Sequence, residues 1–201
     1  SICTRIADHY GMIHLDTGAM YRCVALSIKR QDIALDDLKA IEKLCDTIDI
    51  EFDNGKVLLN KEDVTKAIKM NDISNFTSKI AALPVVREKM VALQQKVTKG
   101  KNFIVDGRDI GTTVLPDAEV KIYLSASPKA RAQRRYNEYM EKGIESDYEI
   151  IYQDIVARDY QDSHRAVSPL RKAEDAIEID TSDMTIDEVE EAVEDIIDKA
   201  L

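Results

Sequence analysis

Four short apolar runs punctuate the chain, at Met12 to Leu15, Phe103 to Val105, Val120 to Leu124 and Ala176 to Ile179. Between them the apolar residues recur at helical spacing, so the pattern predicts strands alternating with helices. Runs this short and uniformly apolar suit a parallel sheet covered by helices on both faces, the signature of an α/β domain. The clearest helix closes the chain, where Ile186, Val189, Val193, Ile196, Ile197 and Ala200 form one stripe. Thr185 and Glu188 ahead of it match a capping box, with Met184 and Val189 placed for a hydrophobic staple.

The period changes between the first two runs. Ile48, Ile50 and Phe52 alternate with polar residues, and Asn54-Gly55 then turns the chain into "KVLLN". That is a hairpin signature, and a hairpin inside a parallel α/β chain reads as an insert. The opening "SICTRIADHYG" has Ile2 and Ile6 on one helical side with neither strand nor cap ahead of it. A helix from residue 1 followed by a first strand at residue 12 is expected in a chain that continues upstream.

Composition narrows the class. A length of 201 residues fits one domain with an insert, and 44% hydrophobic residues with dispersed charge describe a globular protein. The net charge of -10 argues against a general nucleic-acid binder, so any bound phosphate must meet a local arginine cluster. Cys3, Cys23 and Cys45 make a poor disulfide framework, and reduced cytosolic thiols are expected. No Cys and His spacing typical of zinc occurs, so no metal site is expected. No apolar run approaches a membrane span, and a soluble cytoplasmic monomer is expected.

Charges at strand ends carry the chemistry. Asp16-Thr17-Gly18 lies between a predicted strand and a predicted helix, where open α/β sheets bind ligands; a plain N-cap explains Asp16 or Thr17 equally well. Arg22 stands one turn further. Asp106, Arg108 and Asp109 follow the second strand and should emerge on the same sheet edge as Asp16, as a phosphate site or merely an ion pair. Arg131, Arg134 and Arg135 share a helical face, with Glu138 spaced to pair with Arg134. Arg158, Asp162 and Arg165 repeat that spacing in "ARDYQDSHRAVSPL". Arginine forks grip phosphate oxygens bidentately.

In order and spacing, "LDTGAMYR", "NGKVLLNKEDVTKAIK", "SNFTSKIAALPVVRE", "VDGRDIGTTVLPDAEVKIYLSAS", "RAQRRY" and "RDYQDSHRAVSPL" resemble the bacterial cytidylate kinases, P-loop nucleoside monophosphate kinases. The resemblance spans nearly the whole chain. It implies a three-layer α/β P-loop kinase fold with a five-stranded parallel sheet in a single domain, 1–201. Residues about 38–100 would be the CMP-binding part with its small antiparallel sheet, and about 128–146 a helical lid. The implied reaction is transfer of the ATP γ-phosphoryl group to CMP or dCMP with Mg²⁺.

By the same resemblance, Asp16, Thr17 and Arg22 would contact the acceptor nucleotide, Arg22 through its phosphate. Ser78 and Arg87 would read cytosine. Arg108 and Asp109 would complete that pocket, Asp109 accepting from the exocyclic amine. Arg158, Asp162 and Arg165 would bind ribose and phosphate, and Asp106 would sit nearest the metal and phosphates. Arg131, Arg135, Asp106 and Arg158 are the expected catalytic residues. Counting back from Asp16, Ser1 falls on the closing Ser/Thr of the family's glycine-rich loop, which places Ser1, Arg131 and Arg135 at ATP. The glycines and lysine of that loop are expected upstream of Ser1. Lys69 and Met70 stand where Arg-Thr is common. Two other readings stay open: a UMP-preferring or shikimate-like kinase, and a non-catalytic nucleotide-binding module.

Overall fold

In the computed structural model, which describes residues 1–201, all four apolar runs form strands. The first half runs α1 (Ile2–Tyr10), β1 (Ile13–Asp16), α2 (Thr17–Arg30), α3 (Leu38–Thr47), β2 (Ile50–Asp53), β3 (Lys56–Leu59), β4 (Glu62–Asp63), α4 (Asn71–Ala81) and α5 (Pro84–Thr98). The second runs β5 (Phe103–Asp106), a π-helical turn at Ile110–Val114, β6 (Ile122–Ser125), α6 (Pro128–Glu141), α7 (Tyr148–His164), β7 (Ile177–Asp180) and α8 (Ile186–Ala200).

β1 pairs in parallel with β5, and β6 with β7. The implied sheet of five parallel strands is represented by these four, in two pairs not hydrogen-bonded to each other. Side chains bridge them instead. Ile6 of α1 and Val189, Val193 and Ile197 of α8 form a cluster against which Ile104, Ile122 and Ile179 pack, drawing on both pairs. The register sets Asp16 opposite Asp106, so both carboxylates leave one sheet edge, as the pattern predicted.

α8 forms as its sequence dictates. Thr185 Oγ1 accepts from the Glu188 amide and Glu188 Oε1 accepts from the Thr185 amide, each at 3.2 Å, closing the capping box. Met184 packs against the same cluster as Val189. The stripe is shorter than predicted, because Ile186 and Ala200 at its ends are exposed. α1 starts at Ile2 because Ser1 caps it, its hydroxyl accepting from the Thr4 amide.

The predicted insert is a three-stranded antiparallel sheet, β2-β3-β4. Asn54 (φ 48°) and Gly55 (φ 79°) both adopt positive φ, the requirement of a type I′ hairpin turn. β4 escaped the pattern since its turn uses Asn60 and Lys61, also at positive φ, without a glycine. The largest core belongs to this half. α2 buries residues around its whole circumference, including Met20, Cys23, Val24, Ala25 and Ile28, because α3, α4, α5 and β5 pack around it. By contrast, α6 and α7 share a separate small core of Ala132, Ile151 and Ile155, with Tyr136, Tyr139, Tyr148 and Tyr152 against it.

Candidate functional site

α2, α4, α5, α7 and the loop after β5 converge on an open cleft, lined in part by Thr17, Arg22, Ser78, Arg87, Arg108, Asp109, Arg158, Asp162 and Arg165. Five arginines and two aspartates in one cleft make it locally basic in a chain of net charge -10. Such a cleft focuses a positive field on an anionic ligand.

Close backbone approach builds the floor. A Cβ on Gly107 would lie 2.2 Å from Thr17 Oγ1, so only glycine lets the β5 loop pass this near α2. The Thr17 hydroxyl donates to the Asp106 carbonyl at 2.7 Å, tying the two strand ends together. Thr17 is therefore a buried brace as well as a wall of the cleft. Asp16 is not in the cleft lining. Its Oδ1 accepts from the Ala19 amide at 3.0 Å, so it is the N-cap of α2.

At the inner end, Arg87 and Asp109 are 2% and 1% exposed, with Nη2 and Oδ2 2.7 Å apart. Asp109 thus pairs with α5 rather than with neighbouring Arg108. Beyond it the chain makes the π turn, with the Thr113 and Val114 amides donating to the Asp109 carbonyl and Gln95 Nε2 donating to the Val114 carbonyl. Single π turns recur at functional sites, and this one had no signature in the hydrophobic pattern. Tyr21, beside Arg22, lines the cleft and lies under the Arg87 guanidinium, 4.5 Å from ring centroid to Cζ. Sequence reasoning missed Tyr21, although its position four residues after Thr17 puts it on the same helical face.

Asp162 is the hub of the outer end. Its carboxylate pairs with Arg108, and it lies 3.6 Å from Arg165 Nη1 and 3.9 Å from Arg158 Nε. The predicted one-turn spacing of Arg158 and Asp162 is observed, and the carboxylate lies among the three arginines. Burial, followed by the nearby charge of Arg108, pushes the Arg158 pKa down to about 10. Burial and then Arg87 lower that of Arg165 as well. Both are crowded cations, which an anion would relieve. Buried polar atoms without a protein hydrogen-bond partner concentrate here: Tyr21 OH, Arg87 Nε, Asp109 Oδ2, Arg158 Nε, Asp162 Oδ2 and Arg165 Nη2. Arg87 and Asp109 are close in charge but poorly aligned for a hydrogen bond, and a polar ligand would satisfy such groups.

The remaining candidates lie around the cleft mouth. Arg131 donates to Asp159 at 2.9 Å and to the Ala126 carbonyl at 3.0 Å, holding α6 against α7. Arg135 is exposed and makes no ion pair, yet its charge reaches Arg158. Arg134 does not pair with Glu138. It donates to Thr181 Oγ1 at 3.3 Å and to the Thr181 carbonyl, while Glu138 pairs with Lys142 at 2.6 Å. Ser1 lies outside the cleft lining as the cap of α1.

Asp106 Oδ1 sits 2.8 Å from His14 Nε2. That hydrogen bond is the main reason the His14 pKa is raised, outweighing burial. The pair therefore stabilises the fold fully below about pH 6.5 and loses that contribution as pH rises through the raised value. The three thiols are free, and burial pushes Cys3 and Cys23 up to about 12 and Cys45 up to about 11, so all are neutral at physiological pH.

The family model described as Cytidylate kinase matches residues 1–199. A protein named Cytidylate kinase from Lactobacillus gasseri is 50% identical over 198 residues, covering 96% of this chain and 86% of that relative. Proteins of the same name from Streptococcus uberis and Fusobacterium nucleatum are 46% and 44% identical, covering 98% and 94% of this chain and 89% and 87% of their own lengths.

Proposed function

The chain belongs to the cytidylate kinase family, and on that premise we propose that its arginine-lined cleft is the acceptor site for CMP and dCMP. The protein is a CMP kinase: it transfers the γ-phosphoryl group of ATP to CMP, giving CDP and ADP. One observation carries the site assignment, namely the buried Arg87–Asp109 pair at the closed end of a cleft whose mouth is cationic. A base fits the closed end and a phosphate the mouth.

Cytosine is recognised by its exocyclic amine. The Asp109 carboxylate, oriented by Arg87, accepts from that amine, whereas uracil presents a carbonyl there and would leave two acceptors facing each other. A buried polar group left unpaired penalises the wrong base more strongly than a size mismatch does. Ser78, in the cleft wall on α4, adds a hydroxyl at the same end. The acceptor phosphate meets Arg22 and Arg158, with Arg165 beside the ribose. Asp162 keeps Arg108, Arg158 and Arg165 together rather than touching the nucleotide first.

Phosphoryl transfer needs little covalent help from protein, so position and electrostatics dominate. Arg135, and Arg131 once released from Asp159, would come over the transferring group as the lid, α6 and the turn after it at about residues 128–146, closes. Mg²⁺ carried on ATP would neutralise charge on the phosphates. Asp106 suits it: its carboxylate is 44% exposed at the sheet edge and supplies the hard oxygen that this ion prefers. Coupled assays with CMP, dCMP, UMP and AMP at matched concentrations test the reading. Turnover of CMP and dCMP with UMP much poorer is expected; equal rates for all four would remove the cytosine assignment.

A further inference from the structure

A second cluster lies outside the cleft lining. The ligating atoms of Cys3, His14 and Asp106 all lie within 4.8 Å of one another. Three separate elements assemble it, which is why no Cys and His spacing betrayed it. In the β1/β5 register, His14 and Asp16 are two residues apart and share a face with Asp106, the partner of Asp16. α1 covers that face, with Ile6 packed on Ile104, and its first turn lowers the Cys3 side chain beside the imidazole.

The donor set is chemically specific. A thiolate, an imidazole and a carboxylate are the ligand types of tetrahedral zinc sites with three protein ligands and one open position. Around such an ion, donor atoms stand roughly 3.3 to 3.8 Å apart, given Zn–S of about 2.3 Å and Zn–N or Zn–O of about 2.0 to 2.2 Å. The observed limit of 4.8 Å lies above that range and the 2.8 Å between His14 and Asp106 below it, so the donors shift by about an ångström to receive the ion. His14 Nε2 and Asp106 Oδ1, at 2.8 Å, already share a proton that a cation would replace. Asp16 adds a second negative charge felt by both Cys3 and His14. Mg²⁺ does not compete for this set, because it demands oxygen ligands and octahedral geometry.

We propose that Cys3, His14 and Asp106 form a binding site for a zinc-class divalent transition ion, and that occupancy withdraws Asp106 from phosphoryl transfer. On binding, the Cys3 thiol gives its proton to solvent and His14 binds as the neutral ring. The first half stands on the cluster alone; the second rests on the placement of Asp106 beside the phosphates.

Cobalt(II) is the probe for the site, read by its absorption, and zinc for the consequence. The protein titrated with Co²⁺ should develop intense tetrahedral visible bands and a near-ultraviolet sulfur-to-cobalt charge-transfer band, both removed by added Zn²⁺. Cys3→Ser should lose the charge-transfer band, and His14→Gln should bind Co²⁺ more weakly, with thermal melting confirming that each is folded. In turnover assays with Mg-ATP and CMP, Zn²⁺ should inhibit the wild type reversibly by chelator. The half-inhibitory concentration should rise at least about 10- to 100-fold in either variant, a span already seen for the loss of outer-shell partners alone. A wild type without the charge-transfer band, or one whose band survives in Cys3→Ser, overturns the site. Cobalt binding as expected, with zinc inhibition equal in all three proteins, overturns the withdrawal of Asp106.

Discussion

The inner cleft and the α6–α7 arm are both rich in arginine, yet they use it in opposite ways. In the cleft, Arg87 and Asp109 are almost wholly buried and Arg87 rests on Tyr21, itself part of the 20-residue core. In the arm, Arg131 and Asp159 are each more than a third exposed, and the helices share only a three-residue core of their own. Breaking one partner of a buried pair leaves an uncompensated charge, whereas an exposed pair is worth about 0 to 1 kcal/mol. The region that must tell one base from another is built into the core, and the region that must move over phosphates is held by contacts cheap to exchange.

The largest test of that contrast is Arg87→Met, which strands Asp109 without its cation. It should destabilise the protein by about 3 to 5 kcal/mol in denaturant unfolding. A loss below about 1 kcal/mol would show that the pair is solvated and the cleft no more rigid than the arm. Asp109→Asn keeps shape and one acceptor oxygen but removes the charge. Stability and CMP preference should then fall together, each by about 1.5 to 3 kcal/mol, read from melts and from the CMP to UMP ratio of kcat/KM. A changed melt with an unchanged ratio would make Asp109 purely structural.

Arg22 makes no ion pair within the protein, so Arg22→Met orphans no carboxylate. It should lower kcat/KM for CMP roughly 10- to 100-fold, as loss of one charge-assisted phosphate contact, with the melt nearly unchanged. A normal kcat/KM would take the acceptor phosphate away from the mouth of the cleft. The smallest effect belongs to the arm. Asp159→Asn should cost less than about 1 kcal/mol of stability while making the α6–α7 connection more readily cut by protease in the absence of nucleotide. Unaltered cleavage would mean that the Arg131–Asp159 pair does not hold the arm.

The contrast also explains what could be read from the chain. The hairpin at Asn54-Gly55, the capping box at Thr185 and the four strands are local signals, carried by a few adjacent residues whose conformational needs are strong. Most cleft residues were legible as charges at strand ends and at helical spacing. Their partners were not. Asp109 chooses Arg87 over Arg108, and Arg134 chooses Thr181 over Glu138, because helix packing sets those distances and neither choice leaves a trace in sequence spacing. Asp16 shows the converse: a capping residue and a ligand-binding residue look alike at the end of a strand, and the bond to the Ala19 amide, which establishes the cap, is visible only in the fold. The π turn after Asp109 and the Cys3–His14–Asp106 cluster are likewise products of tertiary packing.

A crystal structure with CMP bound tests the central claim most directly. The account predicts the cytosine amine within hydrogen-bond reach of the Asp109 carboxylate and the phosphate between Arg22 and Arg158, with little movement of Arg87. CMP seated elsewhere, for instance in the groove lined by Lys29, Phe76 and Lys79 between α2 and α4, or bound in the cleft with its base at the mouth, would contradict it.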